Sequence, residues 1–96
     1  MRYVEDKKLR KRARKSMSAD AYDRAFNLLK KLEQVPPPSF LRLKPMEGHN
    51  GVLWEMRGGG QYRFILKRCR DEIGDYLLVK DVGPHDIYDS YRPGKR

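Results

Sequence analysis

The chain has 96 residues and a formal charge of +9, from 22 lysines and arginines against 13 aspartates and glutamates. That length suits one domain, residues 1–96, and the excess of cations suits a polyanion such as RNA or an acidic protein partner. The single cysteine, Cys69, excludes an internal disulfide and a cysteine metal cluster, and no apolar run approaches the roughly 18 residues of a membrane span. The charged N-terminus lacks the apolar stretch of a signal peptide, so the expected setting is the cytoplasm, with no membrane contact, metal or cofactor.

Met1 to Glu5 is short and reads as an edge strand. The next stretch is intensely basic: Lys7, Lys8, Arg10, Lys11, Arg12, Arg14 and Lys15. Leu9, Ala13 and Met17 recur at every fourth position and give this stretch a thin apolar stripe, which predicts a helix. Its cations form either a solvated face or a surface for a partner. Ser18 is a good N-cap, and Asp20 lies in the first turn, where the helix dipole favours an anion. Ala21, Ala25, Leu28, Leu29 and Leu32 then line one broad face, flanked by Tyr22 and Phe26, predicting a second helix to about Leu32. Pro36, Pro37 and Pro38 stop it.

Phe40 to Lys44 predicts a short strand, followed by turn residues Glu47 to Gly51. From Val52 to Arg57 the chain alternates, with Val52, Trp54 and Met56 opposed to Leu53, Glu55 and Arg57. Gly58, Gly59 and Gly60 permit positive φ and close a hairpin. Gln61 to Arg68 alternates again, with Tyr62, Phe64 and Leu66 opposed to Arg63, Ile65 and Lys67. After a turn at Asp71 to Asp75, Tyr76 to Val82 is apolar on both faces and predicts the central strand. Pro84 onward reads as a loop or helical turn with a polar tail carrying Arg92, Lys95 and Arg96. The order β, α, α and then a meander predicts an α+β fold: two N-terminal helices cover one face of a small, mainly antiparallel sheet. The other face is left partly open, carrying Glu55, Arg57, Arg63 and Lys67.

On that open face Glu55 and Arg57 share a side, and the short turn brings Arg57 near Arg63 across the ladder. Two adjacent arginines need an anion between them. Glu55 supplies one, and a phosphate held by the guanidinium forks is another. His85 follows a Gly-Pro corner at a strand end, and imidazole is the usual proton carrier at neutral pH. A lone His is more often a surface or capping residue, and Tyr88 and Tyr91 at helical spacing are more often packing residues. His49 lies in a loop, Trp54 reads as core, and nothing fixes Cys69 beside His85.

These residues carry a resemblance. The hairpin Leu53-Trp54-Glu55-Met56-Arg57 … Tyr62-Arg63-Phe64-Ile65-Leu66, the approach Leu43-Lys44-Pro45-Met46-Glu47-Gly48, and the closing Val82-Gly83-Pro84-His85-Asp86-Ile87-Tyr88 resemble the RelE/ParE toxin superfamily, in its RelE/HigB/YoeB/YafQ mRNA-interferase branch. About half the chain, Leu41 to Tyr88, matches by motif, and the two helices match by type and order. The resemblance implies a toxin of a type II toxin–antitoxin system that enters the ribosomal A site and cleaves mRNA without metal. Its partners would be mRNA, ribosomal RNA and a cognate antitoxin, the free form a monomer and the inactive form a hetero-oligomer. It implies that Arg63 stabilises the phosphate, with Arg57 the basic position before the turn. His85 stands where members place a C-terminal Arg or His, Tyr88 near their C-terminal aromatic, and Lys44 near a position that is Glu or His in some. The two lysines of RelE's first hairpin strand are replaced by Leu53 and Glu55, which excludes a lysine-based scheme and leaves Glu55 as the base or as a partner of Arg57. The last aromatic is offset by about one residue from some relatives. The expected catalytic set is therefore Arg63, His85, Glu55, Tyr88 and Arg57. The expected RNA-binding set is Lys7, Lys8, Arg10, Lys11, Arg14, Lys44 and Lys67. Two rivals share the fold: a ParE-like gyrase inhibitor that is not an enzyme, and an inactive basic RNA-binding relative.

Overall fold

A computed structural model of the chain describes residues 1–91. The tail residues Arg92, Lys95 and Arg96 lie outside them. Strand β1 (Tyr3–Glu5) leads into helices α1 (Leu9–Ser16) and α2 (Ala19–Lys30), then strands β2 (Lys44–Pro45), β3 (Leu53–Arg57), β4 (Tyr62–Arg70) and β5 (Asp75–Pro84). A 3₁₀ segment, His85–Tyr91, follows β5. The five strands form one sheet in the order β1-β5-β4-β3-β2, parallel between β1 and β5 and antiparallel elsewhere. This is the expected α+β arrangement. No helix among the described residues is long and apolar enough to cross a membrane.

The helices form where their stripes meet the sheet. Leu9, Ala13 and Met17 from the first stripe, and Ala25, Phe26, Leu29 and Leu32 from the second, share one core with Met56, Phe64, Leu66, Leu77, Val79 and Val82. The Ser18 side chain accepts from the Ala21 amide at 3.2 Å, the N-cap its position predicts. A 3₁₀ turn at Lys31–Glu33 completes α2 and seats Leu32. Phe26 meets Phe64 edge-on at 5.5 Å between ring centroids, tying the second helix to the middle of the sheet.

Two expectations need correction. Phe40 to Lys44 is not a strand. Ser39–Leu41 forms a 3₁₀ turn and Arg42 takes a left-handed φ of 52°, so pairing begins only at Lys44. The turn lets Leu41 reach the core while Phe40 stays outside. The middle strand is β4, not β5, because β1 adds in parallel on the outer side of β5. Accordingly Phe64, Ile65 and Leu66 are all fully buried, with Ile65 on the face away from the helices.

The hairpin between β3 and β4 closes as its glycines require. Gly59 (φ 86°) and Gly60 (φ 55°) occupy the left-handed region, and a Cβ on Gly59 would lie 3.0 Å from Arg24 Cδ on α2. This pins the register that sets Arg57 opposite Arg63 and Glu55 opposite Ile65.

Candidate active site

The sheet face turned from the helices carries two cross-strand rows. One runs Lys44, Glu55, Ile65, Asp81 and the next runs Arg57, Arg63, Gly83. The His85–Tyr91 segment follows β5 directly and packs back on this face. Gly83 makes that return possible, since a Cβ there would lie 2.9 Å from Ile87 Cδ1.

The segment delivers Tyr88 to the two rows. Its hydroxyl lies within electrostatic reach of both the Glu55 carboxylate and the Arg63 guanidinium. Burial, reinforced by the Glu55 charge and opposed by Arg63, pushes the phenol from its ordinary 10.0 up to about 12. Tyr88 is therefore a hydrogen-bond donor throughout the neutral range. Glu55 is ion-paired with Lys44 Nζ at 3.6 Å across β2 and β3, which makes Lys44 its counter-ion where the sequence pointed to Arg57 as one choice. Arg63 also donates from Nη1 to the Tyr62 carbonyl at 2.9 Å and the Gly60 carbonyl at 3.3 Å, which fixes the guanidinium over the hairpin turn. The exposed ring of His85 stands against Tyr88, with centroids 5.3 Å apart and planes at 63°.

Of the expected catalytic residues, the structure thus gathers Glu55, Arg63, Tyr88 and His85 and sets Arg57 beside Arg63 in the ladder. Lys44 belongs to the same cluster, and Lys67 is exposed on the same face. The cations around α1 are not part of it. Lys7 and Lys8 precede the helix, and Lys11 and Arg14 project from a helix packed on the opposite face. Arg10 is engaged by the fold: it makes a two-point ion pair with Glu5 at 2.7 and 2.9 Å and covers the Phe26 ring at 4.4 Å. Cys69 pairs with Tyr76 at the far end of β4 from His85. Trp54 is half-buried against the core, its indole N–H donating to the Gly51 carbonyl at 2.8 Å. Among the described residues no three His, Cys, Asp or Glu side chains are grouped to hold a metal ion.

Sequence reasoning gave no site role to three residues that fix the returning segment: Asp81, Arg12 and His49. Tyr91 donates its hydroxyl to Asp81 Oδ2 at 3.2 Å and offers its backbone carbonyl to His49 Nε2. Arg12 Nε lies 4.0 Å from Asp81 Oδ1. No local periodicity marks them, because their meeting depends on the fold of the last strand.

The Tyr88 environment has a measurable consequence. A hydroxyl whose folded pKa exceeds its unfolded value contributes stability that is complete below pH 10 and is lost as pH rises through about 12. The stability difference between the native chain and Tyr88→Phe should therefore be flat at neutral pH and shrink across that alkaline window, as followed by thermal unfolding at each pH. A difference independent of pH would mean that the phenol is not held in this buried setting beside Glu55.

No protein-family model and no curated protein matches the sequence. Solved structures do match. A YoeB/ParE toxin from Agrobacterium tumefaciens superposes with a TM-score of 0.61 at 16% identity, over 88% of this chain and 99% of its own. The archaeal RelE–RelB complex from Pyrococcus horikoshii OT3 gives 0.61 at 22% identity, over 86% and 92%. YafQ from E. coli BL21(DE3) gives 0.58 at 16% identity, over 92% and 98%. At these identities the likeness is one of fold, and with the element order and sheet described above it gives this chain the fold shared by these YoeB/ParE, RelE and YafQ toxins.

Proposed function

We propose that the chain is the toxin of a toxin–antitoxin pair and an endoribonuclease that cuts mRNA in the ribosomal A site. The observation that carries this reading is the convergence of Glu55, Arg63, Tyr88 and His85 on one open sheet face of a strongly cationic protein. In the proposed step the ribose 2′-oxygen attacks the adjacent phosphorus and the bond to the 5′-oxygen breaks. The products are a 2′,3′-cyclic phosphate and a free 5′-hydroxyl, so neither water nor an oxidant enters. Glu55, held by Lys44, takes the 2′-OH proton. His85, exposed beside Tyr88, supplies the proton to the leaving 5′-oxygen. Arg63, with Arg57 next to it, faces the charge that builds on the phosphorane oxygens. Tyr88 bridges Glu55 and Arg63, keeping base and cation at a fixed separation.

A cognate antitoxin is the expected protein partner. Two of the similar structures are complexes of this kind, RelE with RelB and YafQ with DinJ. The deciding experiment is induction of the chain in growing cells, followed by mapping of mRNA ends on purified ribosomes. Growth arrest with new 5′-hydroxyl ends on ribosome-bound mRNA supports the reading. Arrest with intact mRNA and blocked DNA supercoiling would replace it with gyrase inhibition.

RNA is met chiefly through phosphates in this reading, by Lys7, Lys8, Lys11 and Arg14 around α1 and by Lys44, Lys67 and Arg57 on the open face. Arg10, tied to Glu5, contributes least. Affinity for single-stranded RNA should then fall with a log–log salt slope of several units, at roughly −0.7 per neutralised phosphate. A titration showing no salt dependence would remove the electrostatic contact.

A further inference from the structure

The alternation along β5 breaks at one residue. Val79 and Val82 both enter the core, opposite Leu66 and Phe64. An unbroken strand returns to the same face only after an even number of steps, and these two are an odd number apart. Lys80 is the extra residue: Leu66 pairs with Val79 and Ile65 with Asp81, so Lys80 has no counterpart on β4. The bulge puts Asp81 on the face of Ile65, Arg63 and Glu55, where strict alternation from Val79 would turn it toward the helices. It also leaves the Lys80 carbonyl to accept from Arg12 Nη2 at 2.5 Å.

Asp81 collects contacts from three directions. The Tyr91 hydroxyl donates to Oδ2 at 3.2 Å, Arg12 Nε approaches Oδ1 at 4.0 Å, and the Val82 amide donates to Oδ1 at 2.9 Å. Arg12 belongs to α1, on the other side of the sheet. It reaches Asp81 past the part of β5 that β1, paired only as far as Val79, leaves uncovered. The returning segment is thus fixed near its start by Ile87 against Gly83 and at its end by Asp81, with Tyr88 between the two.

Resting on the nuclease reading above, we propose that Asp81, backed by Arg12, is a positioning residue: it anchors Tyr91 and so holds the His85–Tyr91 segment where Tyr88 meets Glu55 and Arg63. Asp81 touches no substrate. It acts through the segment, and the bulge at Lys80 is what aims it there.

The test uses the full chain in three variants, Asp81→Ala, Asp81→Glu and Tyr91→Phe, the last removing a single oxygen atom. NMR of ring-labelled tyrosine follows the Tyr88 titration, and amide hydrogen exchange follows residues 87–91 and strands β3 and β4. In Asp81→Ala and Tyr91→Phe, Tyr88 should titrate lower than in the parent and amides 87–91 should exchange faster, while β3 and β4 keep their protection. An unchanged Tyr88 titration and unchanged exchange in both variants would overturn the proposal.

In single-turnover cleavage the rate at saturating ribosomes should fall roughly tenfold or more for Asp81→Ala, as expected of a displaced reacting group, with half-saturation unchanged. Asp81→Glu should recover part of the rate. A fourth variant combining Asp81→Ala with Tyr91→Phe should be no slower than Asp81→Ala, because the contact between the two side chains is already lost in the single change. Losses that multiply would show that the two residues act separately and would also overturn the proposal. A parent chain that cleaves nothing would sink the nuclease reading alone, and the NMR measurements would still decide whether Asp81 holds the segment.

Discussion

Replacing Arg63 with alanine is expected to abolish cleavage and leave the fold in place. Arg63 lies in the row between Arg57 and Gly83, on the face turned from the core, and its own bonds are to the Tyr62 and Gly60 carbonyls of the adjacent turn. Surface changes of this kind usually alter stability by about 0.5 kcal/mol or less. The chemical cost is far larger. Removing one preorganised charge-stabilising group from a reacting centre costs roughly 10²-fold or more in rate. Arg57 does not substitute for it, since Tyr88 and Glu55 are arranged around Arg63. The variant carries its own check on geometry. Arg63 opposes the upward push on the Tyr88 phenol, so its loss should move that titration higher still. A variant that is folded by circular dichroism, titrates in this way and yet arrests growth like the parent would place the phosphate elsewhere.

The second large effect is expected from His85→Gln. The side chain is exposed and meets the Tyr88 ring at an angle, so little packing is lost. Glutamine keeps polarity and size but cannot carry a proton at neutral pH. If His85 protonates the leaving oxygen, cleavage should slow by roughly 10²-fold or more. The limb of the pH–rate profile that belongs to this acid should vanish, and ribosome binding should stay constant. Tyr88 does not contribute a limb near neutrality, because its hydroxyl is pushed up to about 12. Cleavage that keeps both its rate and its pH dependence would assign His85 to the turn and leave proton transfer to Glu55 and Tyr88, with Lys44 beside them.

Local pattern carried most of this fold. The stripes Leu9-Ala13-Met17 and Ala25-Leu29-Leu32 gave the helices because a buried face must recur at the helical period. Alternation and the glycine turn placed Glu55, Arg57 and Arg63 on one face because a two-residue period and a fixed register leave no other choice. What local pattern could not carry depends on distant pairing. The partner of β1 is seventy-odd positions away in the chain, at Leu77–Val79, and no periodicity in Tyr3–Glu5 points to it. The bulge at Lys80 shifts the parity of β5, so Asp81, which alternation assigns to the core side, joins the site face. Arg12 looked like one cation in a basic run, and only the uncovered edge of β5 gives it Asp81 to meet. Phe40 to Lys44 was misleading because a β-like composition there serves a turn that buries Leu41 alone.

The parallel pairing of β1 with β5 also orders events during synthesis. Tyr3–Glu5 is made first but has no place in the sheet until Leu77–Val79 has followed it. Both helices are translated long before then, but their apolar stripes have no sheet to pack on until Phe64, Leu66 and Val79 follow. Closure across so long a loop is slow, because its entropy is lost before the contact is gained. Tyr88 comes later still: Glu55 and Arg63 lie on neighbouring strands of one hairpin, and the residue that meets them both follows β5. The site is therefore among the last parts of the fold to be assembled, after the hairpin and β5 that carry its two rows.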